Sequence, residues 1–180
     1  MSNGTTSTRT LNGALAGAVA AGIWALQQPL DKRVLRCRYD DVELLGRAVR
    51  NGPGWYRVGL MLHAQNGAAF GALYANVAPS LPLAPRWQGP AAALAEHFAL
   101  WPLTGLCDRF HPARDKLPIL AGNRRAFVQA TWRHLLFGFV LGELERRLNA
   151  GVGPAASGPA PDYASNGHGS LDRAVSTVRE

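Results

Sequence analysis

Leu11-Asn-Gly-Ala-Leu-Ala-Gly-Ala-Val-Ala-Ala-Gly-Ile-Trp-Ala-Leu26 is the stretch that decides the fold. It is helix-length, apolar without a break from Gly13 to Leu26, and carries Gly13-x-x-x-Gly17 in its interior. The same spacing recurs at Gly67/Gly71 and at Gly138/Gly142, each inside another apolar segment. An interior glycine costs a water-exposed helix roughly 1 kcal/mol relative to alanine, whereas helices that pack backbone to backbone, as in lipid, gain from it. The spacing therefore predicts an all-α chain whose helices meet at glycine faces, arranged as a four-helix transmembrane bundle.

Four segments follow from the apolar pattern: 11–30, 56–78, 89–107 and 123–148, together a helical domain over 11–148. A cleaved signal peptide competes for the first, because an h-region is also short and apolar. His63, Gln65 and Asn66 lie in the second segment, and Glu96 and His97 lie in the third on an Ala91/Ala95/Ala99 ladder. Gln129, Arg133 and His134 lie in the fourth, which Asn123 is placed to cap. None reaches the 18 to 20 clean apolar residues of an unambiguous span. The first loop holds a short helix over about 40–51, acidic in its first turn and basic in its last, suited to lie along a headgroup boundary or on a helical core. Residues 1–10 and 149–180, rich in Ser, Thr, Gly, Ala and Pro, are read as disordered tails.

A net charge of +7 over 180 residues sets the partner class. The basic residues sit in loops rather than along one aromatic-studded helix face, so anionic lipid headgroups fit better than nucleic acid. Lys32, Arg33, Arg36, Arg38, Arg47, Arg50, Arg57, Arg109, Arg114, Lys116, Arg124 and Arg125 would share one side of a membrane, against Arg9, Arg86, Arg146 and Arg147 on the other. The positive-inside rule then makes loops 31–55 and 108–122 cytoplasmic in a multi-pass plasma (inner) membrane protein. The glycine faces would also serve a homo-oligomer. Cys37 and Cys107 have no metal or redox spacing.

Depth counting brings the polar residues together. At 1.5 Å per residue, Glu96 and His97 lie about 10 Å into the third segment and Arg133 and His134 about 15–18 Å into the fourth, which makes Glu96–Arg133 the expected ion pair. His63, Asn66, Glu96, His97, Gln129, Arg133 and His134 are the candidate buried polar site, and no catalytic residue is assigned. Four roles stay open: holding the bundle in register; a path for protons, ions or a small solute; ligation of a metal or haem by His63, His97, His134 and Glu96; and acid–base chemistry on a lipid-like substrate. Glu96 and His97 are adjacent rather than three apart, so the di-iron spacing is absent and no cofactor is assigned. A different overall reading is a soluble or peripheral helical bundle that binds a hydrophobic ligand or partner.

A family pattern also shows. Gly-Ala-Leu-Ala-Gly17, Trp24 and Pro29-Leu-Asp-Lys-Arg33 are followed by Val58-Gly-Leu-Met-Leu-His63, Phe70-Gly-Ala-Leu-Tyr74 and Pro79. Then come Gln88-Gly89, His97, Pro102-Leu-Thr-Gly105-Leu, His134 and Glu143-Leu-Glu-Arg-Arg147-Leu. This order resembles the YagU-like small inner-membrane proteins, a family of unknown function, over residues 11–148. The resemblance implies four spans in an inner membrane and supplies no reaction. This chain departs from the family pattern in its long basic, amphipathic first loop and in Glu96 and Arg133, which are not assigned to it.

Overall fold

The computed structural model describes residues 2–152, and within them the chain is all-α. Its helices are α1 (Ser2–Leu35), α2 (Asp41–Val49), α3 (Trp55–Val77), α4 (Pro85–Leu100), α5 (Thr104–Phe110) and α6 (Arg124–Leu148). Short 3-10 turns, Ala78–Ser80 and Trp101–Leu103, follow α3 and α4. Two starts are capped by side chains: Asp40 accepts from the Glu43 amide of α2, and Asn123 accepts from the Ala126 amide of α6. The third expected segment is split, because Pro102 has no amide hydrogen to continue α4. Helix α1 starts at Ser2, so the N-terminal tail expected over 1–10 is helical from its second residue. Side chains fasten this end: Arg9 donates to the Val152 carbonyl, and Asn12 donates to Leu148 O and Asn149 Oδ1. The tail expected over 149–180 lies, beyond residue 152, outside the described residues.

Small residues set the packing. Helices α1 and α3 run antiparallel with Gly13 against Gly71 and Gly17 against Gly67, and a Cβ on any of the four would collide with the facing backbone. Gly138 of α6 meets Gly89 and Pro90 of α4 in the same way, with Gly142 one turn on, and Gly46 of α2 meets Trp55 at the start of α3. Helix α1 is thus central, packed on α3 on one side and α6 on the other, while α4 packs on α6 and α2 on α3. The core joins Ala16, Ala20, Ala21 and Trp24 of α1 to Tyr74, Ala93, Phe137 and Leu141. The larger aliphatics of α1 point outward: Leu11, Leu15, Val19, Leu26, Leu30 and Val34 are all exposed.

One class of expectation is overturned. Among the described residues no helix is long and apolar enough to cross a membrane. Helix α4 has 16 residues, about 24 Å of rise against a hydrocarbon core of about 30 Å. Helix α6 carries Arg124, Arg125, Arg133, Glu143, Glu145, Arg146 and Arg147, and α1 takes Asp31, Lys32 and Arg33 into its last turns. The transmembrane bundle, the multi-pass plasma (inner) membrane location and the cytoplasmic assignment of loops 31–55 and 108–122 fall together. The helix expected at the headgroup boundary is α2, whose Val42 and Gly46 are buried on α3.

Candidate functional site

Arg133 is the largest fully buried side chain. Its Nε and Nη2 donate to the two oxygens of Asp31, both at 2.6 Å, its Nη1 donates to Asp41 Oδ2 at 2.7 Å, and Nη2 also reaches the Tyr39 carbonyl. The expected Glu96–Arg133 pair is therefore not formed. Helix α1 continues through Pro29 and brings Asp31 opposite Arg133, while Asp41 opens α2 beside it. Gln129, one turn before Arg133, donates to Asp31 Oδ1 at 2.6 Å, and Gln27 donates to Asp31 Oδ2. Trp24 Nε1 and the Tyr39 hydroxyl donate to Asp41, and Lys32 is taken up by Asp40. Two carboxylates thus share one guanidinium. Burial alone would raise the Asp41 carboxyl, but the Arg133 charge and the Tyr39 hydrogen bond hold it below its usual range; burial alone would lower the Arg133 guanidinium, but the Asp31 hydrogen bond and the Asp41 charge hold it above. Burial, then the neighbouring Asp41 charge, pushes the Tyr39 hydroxyl well above its ordinary value.

Beside this network lies a cavity of about 390 Å³. Residues of all six helices line it, with His63 to Phe70 of α3 and Glu96 to Leu100 of α4 among them. Trp24, Phe70, Phe137, Leu44, Leu100 and Trp101 supply apolar wall, and Asp41 is part of its lining. His63, Asn66, Glu96, His97 and His134 of the candidate set also line it, whereas Gln129 and Arg133 stand behind the wall. The three imidazoles gather around aromatic rings: Trp24 meets His63 edge-on at 5.2 Å and His134 at 4.7 Å, and the rings of His97 and His134 lie 4.6 Å apart. Asp31, Asp41, Tyr39 and Trp24 are the members that the sequence reading missed. Their signal was Asp31 at the start of the first loop, Asp41 at the start of the short helix within it, and one tryptophan in an otherwise aliphatic run.

Each histidine is held differently. His97 Nε2 is 2.9 Å from Thr131 Oγ1, whose hydroxyl donates to the Phe127 carbonyl, so the imidazole is the donor. Both nitrogens of His134 face oxygen, Nδ1 at 2.8 Å from Ala130 O and Nε2 at 3.0 Å from Glu96 Oε2. His63 is 7 % exposed, and its Nε2 is buried without any hydrogen-bond partner. Among the described residues no group of three or more His, Cys, Asp or Glu side chains is arranged to hold a metal ion.

Burial, then the neighbouring His134, pushes His97 down from 6.5 to about 4, and burial lowers His63 as well. A base whose folded value lies below its unfolded value binds fewer protons folded than unfolded between the two. Stability present above pH 6.5 is therefore expected to be lost progressively as pH falls towards 4. Urea midpoints measured across this window should decline for the native chain and decline less steeply for His97→Phe. Equal slopes would remove His97 as a cause.

Comparison with protein-family models, with curated proteins and with solved structures finds no match to this chain, so the site is read from its own geometry.

Proposed function

We propose that the chain is a helical binding protein whose cavity takes a small hydrophobic molecule bearing one hydrogen-bonding group, with His63 as the polar anchor. The observation that carries this is the buried, unpartnered Nε2 of His63, a residue that lines an otherwise mostly apolar cavity. Leaving such a nitrogen unsatisfied costs about 1–3 kcal/mol, which a bound donor recovers. Burial keeps the ring neutral, and its other nitrogen is turned to the Ala21 backbone, so Nε2 is a bare acceptor and calls for an O–H or N–H on the ligand. A volume of about 390 Å³ lies within the usual range of ligand sites. At about 30 Å³ for each water-sized group, it holds roughly a dozen non-hydrogen atoms.

Calorimetric titration with 1-decanol and with methyl decyl ether, which lacks the donor, tests the reading. The alcohol should bind at one site and about tenfold tighter than the ether, and His63→Phe should abolish that preference. Absence of saturable binding by either molecule would overturn the proposal.

One observation favours a second role on the same ligand. The His134–Glu96 pair, with Nε2 and Oε2 3.0 Å apart, lies at the cavity wall, in a position to exchange a proton with a bound group by acid–base chemistry. The family resemblance adds neither ligand nor reaction.

A further inference from the structure

We infer that the ligand's polar group is a cationic amine, so that the cavity selects an aliphatic or aromatic amine over the matching alcohol or acid. This rests on the ligand-binding reading above and extends it to the charge of the head group. Three features converge.

The first is charge balance. Asp31 and Asp41 are both ion-paired to Arg133 alone, which leaves one negative charge in excess, and Asp41 is the member of that network that lines the cavity. Other charges nearby do not offset it. Lys32 is committed to Asp40 and Arg47 to Glu43. Cys107, also in the lining, is held as the neutral thiol by burial and by Asp108. Excess charge beside a mostly apolar wall is repaid by a mobile cation.

The second feature is the wall. Trp24, Tyr39, Trp101 and Phe137 all border the cavity, and aromatic faces attract an ammonium group through their quadrupole. Arg133 already stands over the Tyr39 ring at 5.4 Å, so this ring interacts with one cation in the resting protein. The third is His63, a lining residue 7 % exposed, whose Nε2 has no partner. An ammonium N–H satisfies it. An alcohol satisfies the acceptor but leaves the charge in excess, and a carboxylate faces both an acceptor and a negative surplus.

The test uses the full chain at pH 7 and three ligands of one chain length: decylamine, 1-decanol and decanoate, titrated by calorimetry. Decylamine is expected to bind at one site about tenfold tighter than decanol, with decanoate weaker than both. Asp41→Asn should bring the amine-to-alcohol ratio to within threefold. Equal affinities for amine and alcohol in the native chain, or decanoate binding as tightly as the amine, overturn the charge assignment while leaving ligand binding standing. If none of the three binds saturably, the cavity reading and this inference fall together. Should Asp41→Asn not fold, the ligand series on the native protein decides alone.

Discussion

Replacing Arg133 with methionine is expected to lower the free energy of unfolding by about 3–5 kcal/mol, enough to unfold a domain of ordinary stability. The side chain is fully buried and its donors satisfy Asp31 twice and Asp41 once. Methionine would match the volume roughly but leave two carboxylates without their cation. Asp31, itself 4 % exposed, would keep only the amides of Gln27 and Gln129. The measurement is chemical denaturation of Arg133→Met, Asp31→Asn and the double variant, beside a second cycle with Glu96→Gln. Arg133 and Asp31 should show a coupling above about 1.5 kcal/mol, and Arg133 and Glu96 should be additive within about 0.5 kcal/mol. A loss below about 1 kcal/mol for Arg133→Met, or stronger coupling to Glu96 than to Asp31, would refute the assigned network.

That a buried Arg133 needs an acidic partner was legible from its place in an apolar helix; which partner was not. The apolar pattern ends the first segment at residue 30, just past Pro29, and so leaves Asp31 in a loop. Proline in a helix interior normally removes a hydrogen bond and ends the helix. Here α1 continues for six residues past Pro29, and those residues are anchored by tertiary contacts: Asp31 on Arg133 and Lys32 on Asp40. A register fixed at one end carries to the other. Asn12 meets Leu148 and Asn149 at one end of the antiparallel α1/α6 pair, and 19 residues along α1, Asp31 meets Gln129 and Arg133. Glu96, on α4, comes instead to His134, which lies one position beyond Arg133 and so about 100° further round α6.

Hydropathy misled for a related reason. A helix that buries alanine and glycine and exposes leucine and valine is apolar all round, which is the pattern expected of a helix in lipid. In α1 the inward residues are Gly13, Ala16, Gly17, Ala20 and Ala21, whereas Leu15, Val19 and Leu26 face outward. Composition cannot distinguish the two faces, because either could be the buried one. The break comes from the ends: the apolar run in α1 stops at Leu26, and α4 stops at Leu100 before Pro102. Among the polar residues, His63, Asn66, Glu96, His97 and His134 do reach one cavity, but the carboxylate that sets its charge, Asp41, was read only as the acidic first turn of a short helix.

The glycines give an experiment with opposite signs on one helix. Gly17→Ala places a Cβ against the Gly67 carbonyl and the Gly71 Cα, both backbone, so no side chain can swing aside and α1 must move away from α3. Overpacking of this kind costs about 1–3 kcal/mol, and the upper end applies where the obstacle is main chain. Gly22→Ala, five residues along the same helix, meets nothing within 4 Å. It should instead stabilise by about 0.5–1 kcal/mol through reduced freedom of the unfolded chain, raising Tm by about 2–3 °C. Calorimetric scans of the two single variants and their double should give opposite, additive shifts. The effect reaches the cavity as well. Trp24 lies two turns beyond Gly17 on α1 and touches His63, which lies one turn before Gly67 on α3, so separating the helices opens the Trp24–His63 contact. Decanol affinity should therefore fall in Gly17→Ala and stay unchanged in Gly22→Ala. A Gly17→Ala protein as stable as Gly22→Ala would mean that α1 and α3 do not meet through their glycines.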